Sequence, residues 1–205
     1  TLIQEQNSFP GLTNRILSKK VDLISVAYDN MDKFFPLKKI LFTGNPVRLE
    51  IQNFKEFNKE DLIIKDKRKK LLIIGGSLGS REINNFISNN IQFFMSINIS
   101  LMWQCGNYYY QDYKDLKSKN IEVIPFIDDI AKAYKTADII VTRAGASVIS
   151  ELCIIGKPVI FIPSPNLAED HQTKNANLMV KEGSALMVNE FELEKEFITV
   201  FIKGL

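Results

Sequence analysis

The chain has 205 residues, of which 45% are hydrophobic and 24% charged, and its 26 basic and 24 acidic side chains leave a formal net charge of +2. These values are ordinary for a globular domain and exclude collagen-like, low-complexity and wholly disordered classes. The near-neutral charge argues against a nucleic-acid partner bound through bulk charge, and two cysteines with a single histidine are too few for a disulfide framework or a multi-histidine zinc site.

The first 48 residues predict a small α/β segment. Strands are expected at 2–3, 23–27 and 40–42, with a helix over about 10–19. So short a segment cannot form a stable doubly wound domain by itself. Because the chain opens at Thr1 without Met, we expect this segment to be the end of an incomplete N-terminal domain. The boundary is predicted near 47–50, which gives domains 1–48 and 49–205.

From residue 69 onward, short apolar runs alternate with helical patterns. Strands are predicted at 71–74, 101–104, 121–124, 138–142, 158–162 and 185–188, and helices at about 80–90, 109–119, 128–135, 146–155 and 171–181. The polar stretch 52–68 fits a connection or a surface helix. Continuous apolar strands separated by helices indicate an α/β fold with a doubly wound parallel sheet. Ligands of such sheets bind beyond the carboxyl ends of the strands, so the loops there are expected to form the site.

Two glycine-containing loops at predicted strand ends suggest an anion site. Gly75-Gly76-Ser77-Leu78-Gly79 leads into one helix, and Thr142-Arg143-Ala144-Gly145-Ala146-Ser147 leads into another. Glycine lets the backbone approach a ligand closely, and the first amides of a helix attract an anion. Each loop also fits a tight βα turn without a ligand. Two such loops in one sheet favour a nucleoside diphosphate over a lone phosphate.

Three further features complete the candidate site. Glu151 could accept hydrogen bonds from vicinal ribose hydroxyls, or be a solvated helix residue. The run 170–176 holds amide side chains that suit sugar hydroxyls, or is a helix start capped by Asp170. The sequence pattern does not favour His171 as a general base. Arg48, after Gly44-Asn45-Pro46-Val47, could reach a phosphate between domains, or be a surface charge.

In chain order, six motifs resemble the MurG family of bacterial glycosyltransferases. They are Glu5-Gln6-Asn7, Gly44-Asn45-Pro46-Val47-Arg48, Gly75-Gly76-Ser77-Leu78-Gly79, Phe126-Ile127-Asp128-Asp129, Arg143-Ala144-Gly145-Ala146 with Ser150-Glu151, and Asp170-His171-Gln172-Thr173-Lys174-Asn175-Ala176. The family transfers N-acetylglucosamine from UDP-N-acetylglucosamine to the 4-hydroxyl of undecaprenyl-pyrophosphoryl-N-acetylmuramoyl-pentapeptide in peptidoglycan synthesis. The resemblance implies a GT-B fold, in which two Rossmann-like domains flank the active site and residues 49–205 form the UDP-sugar-binding domain.

The resemblance also implies roles for individual residues. The backbone of Ile127 meets the uracil, and Glu151 binds the ribose. Gln172 contacts the sugar hydroxyls. The remaining implied substrate-binding residues are Ala146, Ser147 and Val148, whose amides hold the diphosphate, Ser77 and Arg48 near the diphosphate and donor pocket, and Asn7 on the N-terminal side of the cleft. The implied reaction inverts the anomeric carbon, with helix amides and Arg48 stabilising the departing UDP.

Other parts of the family pattern have no counterpart in the sequence. Its N-terminal glycine-rich loops, candidate general-base histidine and membrane-contacting patch all precede Thr1, and its closing helices follow Leu205. The catalytic residue therefore stays unassigned, and we expect donor binding with little transfer by these residues alone. The expected location is cytoplasmic, peripheral on the inner face of the cell membrane, through the missing domain. No cofactor and no metal are expected in the donor pocket.

Three alternatives stay open at the level of sequence. A different nucleotide-sugar enzyme of the same fold, such as an epimerase, would need more acid and base groups than the sequence offers. A donor-binding subunit would act only when docked on a separate membrane-bound acceptor subunit. An inactive fragment is the third alternative.

Overall fold

The computed structural model describes residues 1–53, 68–165 and 168–204. The strands of these residues form two separate parallel sheets. The smaller sheet has the order β1-β2-β3 and is formed by β1 (Leu2–Glu5), β2 (Leu23–Val26) and β3 (Ile40–Phe42), with α1 (Leu12–Leu17) between the first two strands. The predicted connection at 52–68 lies, apart from its first two residues and its last, outside the described residues.

The larger sheet has six parallel strands in the order β6-β5-β4-β7-β8-β9. They are β4 (Lys69–Ile74), β5 (Ile99–Gln104), β6 (Ile121–Ile124), β7 (Ile139–Thr142), β8 (Val159–Phe161) and β9 (Leu186–Met187). The chain starts in the middle at β4 and runs outward to β6. It then returns to β7, beside β4, and runs outward the other way. The strand order therefore reverses between β4 and β7, which is where doubly wound sheets bind ligands.

Helices cover both faces of this sheet. They are α2 (Leu49–Gln52), α3 (Arg81–Asn89), α4 (Ile91–Ser96), α5 (Tyr110–Tyr113), α6 (Ile130–Thr136), α7 (Ala146–Ile155), α8 (His171–Lys181) and α9 (Leu193–Gly204). Alternate residues of β4 point to opposite faces: Leu71 and Ile73 join the cluster under α3 and α9, while Leu72 and Ile74 join the cluster under α6 and α7. Complete burial of each such side chain contributes about 1.5–3 kcal/mol, so the two clusters fix the sheet between its helices.

Two predicted features need correction, and three α-helices of the described residues have no predicted counterpart. The helix predicted over 109–119 is only the four-residue α5 followed by a 3-10 turn, because the ring of Tyr113 packs on Trp103 and the backbone becomes extended at Lys117 before β6. Asp170 does not cap α8, since its backbone is left-handed and its side chain makes no capping hydrogen bond. The additional helices are α2, α4 and α9, and α9 buries Phe197 and Phe201 against the sheet.

Side-chain amides connect the small sheet to the large one. The side-chain oxygen Oδ1 of buried Asn175 accepts hydrogen bonds from the backbone amide and the hydroxyl of Ser8. Its Nδ2 donates a hydrogen bond to Asn7 Oδ1 over 3.0 Å. Asn45 Nδ2 donates to the carbonyl oxygen of Gln6 and to the hydroxyl of Ser150. Among the helices of the described residues, none is both long enough and apolar enough to cross a membrane.

Candidate functional site

A cleft of about 1190 Å³ opens at the carboxyl ends of β4 and β7. Its walls are the loops that follow these strands, the starts of several helices and the segment that leads into α2. The residues that line it are Arg48, Glu50, 74–82, Gln104, Tyr109, 126–131, Tyr134, Thr142, Arg143, Gly145, Val148, Glu151, Ser164 and Gln172. Six of the nine residues predicted to bind substrate are among them: Arg48, Ser77, Ile127, Val148, Glu151 and Gln172.

The loop after β4 is built by close backbone packing. Gly79 has a φ of +81°, and a Cβ there would lie 2.0 Å from the carbonyl oxygen of Cys105. Gly106 has a φ of +93°, and its Cβ would lie 2.2 Å from the carbonyl oxygen of Leu78. Only glycine fits such contacts, so the loops after β4 and β5 lie backbone against backbone. This packing leaves Ser77 exposed in the cleft. It also brings Ser80 to the start of α3, where the Ser80 hydroxyl accepts a hydrogen bond from the backbone amide of Ile83.

The loop after β7 presents free helix amides. Gly145 is the N-cap residue of α7, with extended backbone and no side chain to cap the helix. The first helical hydrogen bond of α7 runs from Ile149 to Gly145, so the amides of 146–148 precede it. Gly145 and Val148 line the cleft, whereas Ala146 is buried and Ser147 exposed outside the set of lining residues.

Glu151 is a buried carboxylate and not a solvated helix residue. Its side chain is 5% exposed, and Arg48 Nη1 lies 2.8 Å from its Oε1. Burial raises the pKa of Glu151, while Arg48 and a hydrogen bond with Tyr134 oppose the rise. Burial, and next the charge of Glu151, raise the pKa of the Tyr134 hydroxyl. Arg48 is therefore not merely a surface charge, because it balances the carboxylate of α7 across the cleft wall.

Gln104 connects two loops of the cleft. Its Nε2 donates to the carbonyl oxygen of Gly76 over 2.9 Å, and its Oε1 accepts the amide of Ile127 over 3.1 Å. The N–H of Ile127 is thus already bonded within the protein, and its carbonyl oxygen is the backbone group left to meet a ligand. The only sequence signal for this role is a glutamine at the end of an otherwise apolar strand.

Gln172 and Asn7 occupy different places. Gln172 lines the cleft, and its Oε1 accepts the amide of Ser164 over 2.9 Å, which orients its Nε2 as a donor. Asn7 lies in a separate cavity of about 360 Å³, beside Glu169 and His171. Because its side-chain oxygen is bonded to Asn175, Asn7 contributes to the contact between the two sheets and not to the lining of the larger cleft.

Residues to which the sequence analysis gave no individual role complete the site. Gln104, Tyr134 and Arg143 line the cleft through contacts with residues distant in sequence. Arg143 belongs to a predicted loop, but its local sequence does not reveal its partners.

Comparison with known proteins identifies relatives of this chain. Residues 70–202 match the glycosyltransferase family 28 C-terminal domain. Proteins named UDP-N-acetylglucosamine--N-acetylmuramyl-(pentapeptide) pyrophosphoryl-undecaprenol N-acetylglucosamine transferase are 50% identical in Flavobacterium psychrophilum and 46% identical in Christiangramia forsetii. Each match covers 98% of this chain and 56% of the relative, so the chain spans about half the length of the curated relatives it matches.

Solved structures agree on the fold. Acinetobacter baumannii MurG is 29% identical with a TM-score of 0.72, over 98% of this chain and 57% of that chain. A UDP-N-acetylglucosamine 2-epimerase has a TM-score of 0.53 at 13% identity, over 96% of this chain and 55% of that one, and at this identity the likeness concerns the fold alone. The predicted α/β fold of the GT-B type is confirmed.

Proposed function

From the premise that this chain belongs to the glycosyltransferase family 28 C-terminal domain family, we propose that its cleft binds UDP-N-acetylglucosamine as a sugar donor. The whole protein then transfers N-acetylglucosamine to the 4-hydroxyl of undecaprenyl-pyrophosphoryl-N-acetylmuramoyl-pentapeptide in peptidoglycan synthesis. The observation that carries the proposal is the convergence on one cleft of two glycine-bounded helix starts and a buried carboxylate. A helix start suits a diphosphate, and a carboxylate suits vicinal hydroxyls.

The donor is assigned to the cleft in four parts. The amides of 146–148 and the loop with Ser77 take the diphosphate. Glu151 takes the ribose hydroxyls, and the carbonyl of Ile127 takes the N–H of the uracil edge beside the half-exposed ring of Phe126. The Nε2 of Gln172 takes a hydroxyl of the sugar.

The proposed reaction is a displacement at the anomeric carbon. The acceptor oxygen forms a bond to C1 as the bond between C1 and the diphosphate oxygen breaks, and the configuration inverts. The negative charge that develops on UDP is stabilised by the first-turn amides of α7 and by Arg48, which act electrostatically. The acceptor proton passes to a general base that we assign to no residue of this chain.

The remaining partners also follow from the relatives' names and the resemblance. We assign a lipid-linked acceptor, and a location at the cytoplasmic face of the membrane reached through a domain N-terminal to these residues. Residues 1–48 are proposed to be the end of that domain and 49–205 the donor domain. Neither a cofactor nor a metal takes part in this assignment.

The relatives favour a transferase over a donor-binding subunit. In each relative, the matched region is contained in one longer chain, which supports a single polypeptide that holds both halves. An epimerase has a similar fold, but its likeness carries no evidence for its reaction here.

Calorimetry with the 205-residue chain tests donor binding. We expect heat on titration with UDP and UDP-N-acetylglucosamine. Glu151→Gln should lower the affinity at least about tenfold, because a hydrogen bond to a charged group contributes about 1.5–3 kcal/mol. Glu122→Gln, at an exposed position on β6, is the matched control and should bind as the unchanged chain does. Absence of heat with a folded sample would reject the proposal.

A further inference from the structure

Arg143 is a cation in the wall of the cleft whose terminal N–H groups are all used within the protein. Its Nη1 donates to the carbonyl oxygens of Ile162 and Pro163, each over 3.1 Å. Its Nη2 donates to the hydroxyl of Ser80 and to the carboxylate of Glu190. A guanidinium carries two hydrogens on each terminal nitrogen, so these four acceptors match the four terminal hydrogens and leave only the Nε–H.

Burial strengthens this commitment. The side chains of Arg143 and Glu190 are 11% and 5% exposed, respectively. Separating a buried ion pair leaves an uncompensated charge, which is strongly unfavourable. Arg48 also forms an ion pair, with Glu151, but its side chain is 57% exposed and therefore remains accessible from the cleft. An incoming diphosphate can therefore attract Arg48 far more readily than it can detach Arg143.

The partners of Arg143 belong to segments that meet at the point where the strand order reverses. Ser80 ends the glycine loop and starts α3, and Arg143 itself begins the loop that leads into α7. The carbonyls of Ile162 and Pro163 follow β8, and Glu190 lies between β9 and α9. One planar guanidinium thus links the two glycine loops to each other and to the segment that leads into α9.

We propose that Arg143 is a positioning residue of the donor site: through Ser80 and Glu190 it holds the two glycine loops at the separation that a diphosphate needs, without binding the diphosphate itself. The proposal rests on the donor binding proposed above. A positioning role and a ligand role predict opposite effects when Glu190 loses its charge. Loss of that charge loosens the guanidinium if Arg143 positions the loops, whereas it releases a cation toward the phosphates if Arg143 is a ligand.

The test compares the unchanged chain with Glu190→Gln and Arg143→Lys. UDP affinity is measured by calorimetry, uridine affinity by ligand-observed NMR, and folding by thermal unfolding without ligand. We expect both variants to bind UDP at least tenfold more weakly while uridine affinity changes less than twofold. Glu194→Gln, which removes an exposed carboxylate bonded to Asn90, is the matched control and should leave both affinities unchanged.

Each other outcome has a definite meaning. Tighter UDP binding by Glu190→Gln, unchanged UDP affinity in the variants, or an equal loss of UDP and uridine would overturn the positioning role. If Arg143→Lys does not fold, the sign of the change in Glu190→Gln still decides. If the unchanged folded chain binds no UDP, the proposed function itself fails, and that result is distinct from a change seen only in the variants.

Discussion

The guanidinium of Arg48 lies 2.8 Å from the carboxylate of Glu151, so the residue before α2 meets α7 at the wall of the cleft. Sequence patterns assign these two residues separate tasks, one toward the diphosphate and one toward the ribose. The contact makes them one electrostatic unit. Arg48 favours the ionised form of Glu151, which burial disfavours, and this ionised form is the one that accepts two hydrogen bonds from a ribose.

Glu151 should make donor affinity depend on pH. Its pKa is raised above the ordinary 4.5, chiefly by burial. We expect the affinity for UDP-N-acetylglucosamine to fall as the pH decreases from about 7 through this raised pKa, because protonation removes an acceptor. Calorimetry across that range measures the effect, and Glu151→Gln should abolish the dependence. An identical pH profile in the two proteins would contradict the assignment of the ribose to Glu151.

The same raised pKa has a consequence for stability. The folded protein binds this proton more strongly than the unfolded chain does, so the stabilising contribution is complete below the ordinary pKa and is lost as the pH rises through the folded-state pKa. Arg48→Met should move that loss to higher pH, because it removes the charge that lowers the pKa of Glu151. Urea unfolding at several pH values checks the direction, and a shift to lower pH would contradict it.

Gly79→Ala should destabilise both the fold and the cleft. The new Cβ would meet the carbonyl oxygen of Cys105 at 2.0 Å, at a φ of +81° that alanine rarely adopts. We expect the free energy of unfolding to decrease by about 2–4 kcal/mol, with a loss of UDP affinity. Gly11→Ala is the matched control, since a Cβ there has no atom within 4 Å, and its cost should stay within about 1 kcal/mol. Equal unfolding curves for the two variants would contradict the close loop packing.

Gln104→Leu should weaken the choice of base. In the unchanged chain the N–H of Ile127 is bonded to Gln104, so the base meets a carbonyl that suits the N3–H of uracil but repels the N3 lone pair of cytosine. The variant frees that N–H, and we expect the ratio of UDP to CDP affinity to fall about tenfold or more. Competition binding with both nucleotides measures the ratio. Gln111→Leu, at an exposed helix position, should preserve it.

Asn175→Ala should loosen the contact between the two sheets. The change removes the acceptor of Ser8 and the donor to Asn7, and it leaves the Ser8 amide without this partner. A loss of about 2–3 kcal/mol in the free energy of unfolding is expected. Asn177→Ala, at an exposed position later in α8, is the control and should change stability by less than about 0.5 kcal/mol. Equal stability of the two variants would show that the amide contact contributes nothing.

Most local structure follows from nearby residues. The apolar runs of β4 and β7 predict buried strands, and α7 and α8 begin and end where the pattern places them, with Gly156 in a left-handed conformation after α7. The predicted length of the helix over 109–119 was wrong, because the packing of Tyr113 on Trp103, a contact between separate elements, sets where the helix ends. Local periodicity contains no information on such a contact.

The sequence by itself determined the alternation of strands and helices, the glycine loops and the residue types of the site, because backbone conformation and burial depend on side chains only a few positions apart. Only the tertiary structure decided which of these residues share a cleft. The order of strands places Arg48 against Glu151 and lets Gln104 form hydrogen bonds with Gly76 and Ile127. It also brings four acceptors to Arg143 and places Asn7 in a different cavity. These contacts join residues that are mostly 20 to 170 positions apart, roughly, and their geometry depends on the packing of the whole sheet.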